Sequence, residues 1–149
     1  MKFTIEELAP SKIAFFRNVG EYGEANKMLM ESFKQWVQNQ KTLKNQYTIL
    51  AIPQDNPDVS PKEQCRYDVC ICIERDFHVT QPAQVGTFAG GKYAVFLLDH
   101  TKEAVSEFWG KVFSEITKQQ LAIRPEPIIE RYSAQMIERH LCEILVPIH

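Results

Sequence analysis

A carboxylate and a phenol stand two residues apart in the stretch "IIERY", which contains Glu130 and Tyr132. Residues two apart in a β-strand share a face, so these two side chains are expected side by side, with Ile129 and Arg131 opposite. A carboxylate on a covered face loses solvation worth several kcal/mol unless it is paired. A cationic ligand would supply that pairing. The alternative is that Glu130 pairs with a Lys or Arg at the surface.

A second carboxylate lies in the stretch "HLCEILVPIH". Glu143 shares its predicted face with Leu141 and Leu145, and its neighbours Cys142 and Ile144 make the opposite face apolar too. An acidic residue in such a strand is on an exposed edge or faces a cavity. Because both faces look covered, Glu143 is a second candidate contact for a ligand.

Aromatic side chains complete the candidate ligand-binding set of Glu130, Glu143, Trp109, Tyr132 and Tyr22. An aromatic ring attracts a cation by roughly 0.5–2 kcal/mol, so this set suits a flat, hydrophobic, cationic molecule. Two alternatives stay open: Trp109 lies on an apolar helical stripe that is typical of a core, and Tyr22 could simply pack at a helix start. The sequence singles out no catalytic residue.

Composition excludes several classes of function. The net charge of −2 gives no basic footprint, so we expect no direct nucleic-acid binding and no membrane association. The N-terminal "MKFTIEELAP" lacks the apolar segment of a signal peptide, which predicts a cytoplasmic protein. There is no CxxC pair and no metal-ligand spacing among the histidines, so we expect no metal and no cofactor, and we interpret the cysteines as small buried hydrophobes.

The chain reads as two copies of one unit. When the sequence is shifted by 80 residues, positions 5–16 fall on 85–96, and Lys12, Ala14 and Phe16 meet identical residues. We therefore predict one domain, 1–149, with repeats at about 1–75 and 82–149.

Each copy is predicted to be strand-strand-helix-strand-strand. Apolar residues at helical spacing place helices near 22–40 and 102–120. A Pro10-Ser11 turn and a Gly90-Gly91 turn predict that the first two strands of each copy form a hairpin. The predicted strands are 2–8, 12–18, 47–52 and 66–74 in the first copy, and 84–89, 92–98, 127–132 and 139–147 in the second.

These elements predict an α+β fold, with two long helices on one face of an antiparallel sheet and a central cleft on a pseudo-two-fold axis. Function is expected where the copies differ. At the offset of 80, Glu130 replaces Leu50, Tyr132 replaces Ile52 and Trp109 replaces Leu29. The second copy is thus expected to carry a carboxylate, a phenol and an indole where the first carries aliphatic side chains.

Five segments in order resemble the GyrI-like small-molecule-binding domain, which is also the effector-binding domain of many AraC-type and MerR-type transcription regulators. They are "RNVGEYGE", "AIPQDNPDVSPKEQCRYDVCICIE", "GGKYAVF", "RPEPIIERY" and "CEILVPI". The resemblance covers nearly the whole chain. Aliphatic "LAIPQDNP" departs from the aromatic residues that relatives commonly carry before the Asp-x-Pro segment. We expect a free-standing member, because no DNA-binding helices flank the domain.

The resemblance implies a central ligand cleft in which a buried acidic residue, here Glu130, meets cationic aromatic ligands. Glu143 matches another acidic position near the cleft, and Trp109 sits where several relatives place an aromatic residue. We expect a binder of small hydrophobic, cationic compounds, acting as a sensor or a sequestering protein.

The family leaves two other functions open. One is a hydrolase of cyclopropane-bearing or other xenobiotic compounds that uses a cleft glutamate, Glu130 or Glu143. The other is a protein-interaction module, since the namesake of the family inhibits DNA gyrase; its partner would be gyrase or a transcription regulator.

Overall fold

In a computed structural model that describes residues 1–43 and 47–149, both halves of the chain have the order strand-strand-helix-strand-strand, and the second half contains one additional short helix. The first half contains β1 (Thr4–Leu8), β2 (Ser11–Val19), α1 (Glu24–Gln38), β3 (Thr48–Pro53) and β4 (Arg66–Ile73). The second contains β5 (Gln84–Phe88), β6 (Gly91–Asp99), α2 (Lys102–Lys118), β7 (Ile129–Ser133), a short α3 (Ala134–Glu138) and β8 (Leu141–Pro147).

The eight strands form a single antiparallel sheet in the order β1-β6-β8-β7-β3-β4-β2-β5. Helix α1 lies against β2 and β4, and α2 lies against β6. The core therefore has a helix-covered side and a helix-free side. This confirms the predicted α+β fold, in which an antiparallel sheet carries its long helices on one face.

Both long helices are amphipathic, and each buries one stripe on the sheet. The buried residues are Phe33, Trp36 and Val37 in α1, and Phe108, Val112 and Ile116 in α2. Thr101 caps α2 by accepting a hydrogen bond from the Ala104 backbone N–H. The predicted helices match these elements to within about two residues at each end.

The predicted hairpins are wrong. Strand β1 pairs with β6, where Thr4 lies opposite Val95, and β2 pairs with β5, where Ser11 lies opposite Phe88. The first strand of each half, β1 or β5, thus pairs with the second strand of the other half. The Pro10 and Gly90-Gly91 links reverse the chain as predicted, but a turn signal does not specify which strand the chain will pair with next.

The single offset of 80 residues is also wrong beyond the first two strands. Tyr132 shares its buried cluster with Ile49 and Ala51, whereas Leu50 and Ile52 lie on the opposite face with Ile129. Glu130 therefore has Ala51, not Leu50, on its own face. A one-residue slip moves every side chain of a strand to the other face.

The helices also differ from the sequence alignment. Their buried positions match at an offset of 79, because Phe33 corresponds to Val112 and Val37 to Ile116. As a result, Phe113 is 47% exposed instead of matching Phe33.

The cysteines largely follow their interpretation as buried hydrophobes: Cys65, Cys70 and Cys142 are buried, but Cys72 is exposed. Burial raises the pKa of the Cys142 thiol to about 11, with a smaller contribution from the Glu130 carboxylate, so this thiol is protonated at neutral pH. Within the described ranges, no helix is both long and apolar enough to cross a membrane.

The link after β1 and the link after β5 touch each other, and this contact generates a stability prediction. Gly90 has φ +73°, and a Cβ atom there would collide with the Leu8 carbonyl oxygen. We expect Gly90→Ala to lower the free energy of unfolding by about 1–3 kcal/mol, because neither the backbone angle nor the contact tolerates a side chain.

Gly110, inside α2, is the matched control, since a Cβ atom added there would have no atom within 4 Å outside its own helix turn. Gly110→Ala should raise stability by up to about 1 kcal/mol through helix propensity. Urea unfolding of both variants measures the difference. Equal effects of the two substitutions would contradict the proposed contact between the links.

Candidate functional site

A cavity of about 410 Å³ opens on the helix-covered side, between the N-terminal half of α1 and the segment that contains α3. We call it the helix-side cavity. Its floor is made by two tyrosines, Tyr67 from β4 and Tyr132 from β7. The remaining lining residues are Asn26, Lys27, Met30, Glu31, Lys34, His100, Ile137 and His140.

Glu130 lies beside this floor, on the same strand and the same face as Tyr132. The Tyr132 hydroxyl donates a hydrogen bond to the Glu130 carboxylate. Tyr132 is only 7% exposed, and Glu130 is half-buried. The predicted pairing of these two residues on one strand face is therefore what the structure shows.

Burial and the nearby Glu130 carboxylate both raise the pKa of the two floor tyrosines. Burial raises the pKa of Tyr132, and the neighbouring Glu130 carboxylate raises it further. The pKa of Tyr67 is raised in the same way, by burial first and then by Glu130. Both phenols are therefore protonated and neutral at physiological pH. Glu130 itself is not among the residues that line the cavity; it lies behind the floor, in contact with the Tyr132 hydroxyl.

Glu130 forms no ion pair with any Lys, Arg or His in the ranges 1–43 and 47–149. Neither of the two lysines that line the cavity pairs with Glu130. Lys34 lies 3.7 Å from Glu31, and Lys27 is exposed at the rim. The surface ion pair that we considered for Glu130 is therefore absent from this part of the chain, and the phenol of Tyr132 is its described partner.

Tyr22 adds a ring behind the floor. Its ring centroid lies 6.1 Å from that of Tyr67 in an edge-on arrangement. Its hydroxyl donates to the Arg66 carbonyl at 2.6 Å and accepts from the Asp55 N–H at 3.1 Å, which ties the start of α1 to β4. Tyr22 thus supports Tyr67 rather than lining the cavity.

Glu143 lies on the other side of the sheet. Its carboxylate accepts a 2.8 Å hydrogen bond from Arg131, which also contacts Glu6 of β1 at 2.5 Å. Burial opposes the charge of Arg131, but the bonds to Glu143 and Glu6 prevail and raise its pKa above the usual value. The structure therefore does not bring Glu143 together with Glu130, because residues 130 and 131 point to opposite faces.

Trp109 is 38% exposed on the flank of α2, where its ring packs against those of Phe108 and Phe113. It does not line the helix-side cavity. The wide apolar stripe predicted for α2 includes positions that the sheet does not cover, and Trp109 occupies one of them.

Of the ten residues that line the cavity, sequence reasoning named only Tyr132 as a candidate, and it missed Tyr67, His100 and His140 among the others. Tyr67 had a usable signal, because alternation along β4 places it on the same face as Val69 and Ile71, which are buried under α1. The histidines lie just outside strands and had no such signal. The centroid of the His100 ring lies 5.2 Å from that of the Tyr132 ring. The backbone N–H of His100 donates a hydrogen bond to the backbone carbonyl of His140 at 2.7 Å.

The ion pairs of Arg131 on the helix-free side lead to a second stability prediction. Arg131→Met would leave Glu6 and Glu143 close together without their shared cation, so we expect a loss of roughly 3–5 kcal/mol in unfolding free energy. Urea unfolding measures it. Arg66→Met is the control, since Arg66 pairs with Asp55 at the surface and should cost about 1 kcal/mol or less. Equal small losses would show that Arg131 is not structurally important.

Comparisons with known proteins agree with this architecture. A 66% identical relative over 149 residues, covering 99% of both chains, is the "SPbeta prophage-derived putative transcriptional regulator YosT" of Bacillus subtilis (strain 168). A DNA gyrase inhibitor of Citrobacter rodentium is 25% identical over 131 residues, covering 84% of this chain and 82% of that protein.

Among solved structures, SAV2435 bound to tetraphenylphosphonium superposes with a TM-score of 0.58 at 19% identity, covering all of this chain and 94% of that one. At this identity the likeness shows the fold alone. The sequence model of the GyrI-like small molecule binding domain matches residues 1–149. The chain therefore belongs to the GyrI-like family of small-molecule-binding domains.

Proposed function

We propose that this protein binds hydrophobic, cationic aromatic compounds in the helix-side cavity, with Glu130 as the counter-charge. The observation that carries the proposal is a half-buried carboxylate whose described partner is a neutral phenol. A carboxylate in that position has no cationic partner in the described ranges, and its low-dielectric surroundings strengthen its attraction for a cationic ligand.

The rest of the cavity suits the ring system of such a ligand. Tyr67 and Tyr132 form the floor, and Met30 and Ile137 add apolar surface on the sides. A volume of about 410 Å³ lies in the range of small-molecule pockets. The tyrosine faces offer a favourable quadrupole to a cation, which neutral apolar compounds of the same shape cannot use.

Two comparisons support this choice of ligand. The chain belongs to a family described as small-molecule-binding, and the structurally similar SAV2435 was solved with tetraphenylphosphonium, a hydrophobic aromatic cation. The name of the Bacillus subtilis relative refers to transcriptional regulation, which favours a role in sensing. Sensing and sequestration both begin with the same binding step.

Calorimetric titration with tetraphenylphosphonium tests the proposal. Wild-type protein should bind, and Glu130→Gln should weaken the affinity by about tenfold or more, because the substitution removes the charge and keeps the shape. Glu63→Gln, at an exposed glutamate that does not line the cavity, is the matched control and should bind like wild type. Unchanged affinity in a folded Glu130→Gln variant would refute the role of Glu130.

Lys27 provides a test in the opposite direction. It is an exposed cation at the rim of the same cavity, so it repels a cationic ligand through solvent. Lys27→Gln should strengthen tetraphenylphosphonium binding by about two- to threefold at low salt, and this gain should shrink in high salt. A weaker affinity in Lys27→Gln would place the ligand away from this rim.

A further inference from the structure

A second cavity, of about 370 Å³, opens on the helix-free side of the sheet, where both halves of the chain contribute to its walls. We call it the helix-free cavity. Its larger apolar lining residues are Ile13, Phe15, Ile52, Phe88, Tyr93 and Ile129, and Cys70, Ala89 and Pro127 add to them. The whole sheet separates it from Glu130, because Ile129 faces this cavity and Glu130 faces the helices.

The acidic groups here are not available to a cation. Asp68 is 5% exposed and accepts two hydrogen bonds from Arg17, at 2.6 and 2.7 Å, and one from Gln54 at 3.1 Å. Its charge and its acceptor sites are largely satisfied within the protein. Glu126 lines the mouth but is exposed, so its charge is screened by solvent.

Arg124 is the cation that remains. Its Nε donates to the Ile148 carbonyl at 2.8 Å, its Nη2 donates to the Lys92 carbonyl at 3.1 Å, and its guanidinium lies 5.1 Å from the centre of the Tyr93 ring. It forms no ion pair with any carboxylate in the described ranges, and Nη1 donates to none of their acceptors.

Gly91 leaves room for this guanidinium against the backbone, because it has no side chain. A Cβ atom at Gly91 would lie 2.5 Å from Arg124 Nη2. The guanidinium is therefore fixed against the backbone of β6, close to the Tyr93 ring, before any ligand arrives. Such pre-organisation lowers the entropy cost of binding.

We propose that the helix-free cavity binds a flat organic acid with one negative charge. Its carboxylate meets Arg124, a group suited to carboxylates, and its ring system lies on the apolar lining. The two faces of the sheet then select ligands of opposite charge. This inference does not depend on the helix-side proposal, since it uses other residues on the other face.

Calorimetric titration with 2-naphthoate tests the inference, with 2-naphthylmethylammonium as a cation built on the same ring. We expect naphthoate to bind wild type and Glu130→Gln alike, and to lose about tenfold or more of its affinity in Arg124→Gln. Arg75→Gln, at an exposed arginine, is the charge-matched control and should bind like wild type. The ammonium compound should show the reverse dependence on Glu130 and Arg124.

Gly86→Leu covers the case in which Arg124→Gln does not fold. A Cβ atom at Gly86, on the edge strand β5, would lie 2.9 Å from the movable ring of Phe15, so a side chain there fills the helix-free cavity without altering any charge. It should also weaken naphthoate binding, while tetraphenylphosphonium binding stays unchanged. Absence of naphthoate binding to wild type, or binding to both Arg124→Gln and Gly86→Leu as tight as to wild type, would overturn the inference. An equal loss of naphthoate affinity in Arg75→Gln would also overturn it, because the effect of Arg124→Gln would then come from net charge alone.

Discussion

Strand alternation in β7 places two charged side chains at neighbouring positions on opposite sides of one sheet. Glu130 points toward the helices and bonds to Tyr132, whereas Arg131 points away and joins Glu6 to Glu143. Since both faces of the sheet are covered by apolar clusters, neither charge can move to the other side without breaking the register of β7 with β3 and β8. The register of β7 therefore places Glu130 on the helix-covered face and Arg131 on the helix-free face.

The two faces solve the problem of a buried charge differently. On the helix-free face the carboxylates are paired within the protein: Glu6 and Glu143 bond to Arg131, and Asp68 bonds to Arg17. On the helix-covered face Glu130 has only a neutral phenol among its described partners. Desolvation makes such a carboxylate costly, and a protein that keeps it is expected to gain function from it. This asymmetry leads us to place cation binding at Glu130 rather than at Glu143.

Much of the fold could be predicted from the sequence, because amphipathic helices and alternating strands leave strong local patterns. The pairing of Glu130 with Tyr132 followed from the same alternation. The exchange of β1 and β5 could not be predicted, since a turn at Gly90-Gly91 shows that the chain reverses but not which strand it joins. The location of Glu143 depended on the register between β7 and β8, and the exposure of Trp109 depended on how far α2 extends over the sheet. Those properties arise from contacts distant in sequence.

The position of a bound cation tests the central claim most directly. Tetraphenylarsonium has the same shape and charge as tetraphenylphosphonium, and its arsenic atom can be located by anomalous diffraction from crystals of the complex. We predict one strong arsenic peak in the helix-side cavity, above Tyr67 and Tyr132 and on the same face of the sheet as the Glu130 carboxylate. A peak on the helix-free side, next to Tyr93 or Arg131, would contradict the account and move the cation site to the other face of the sheet.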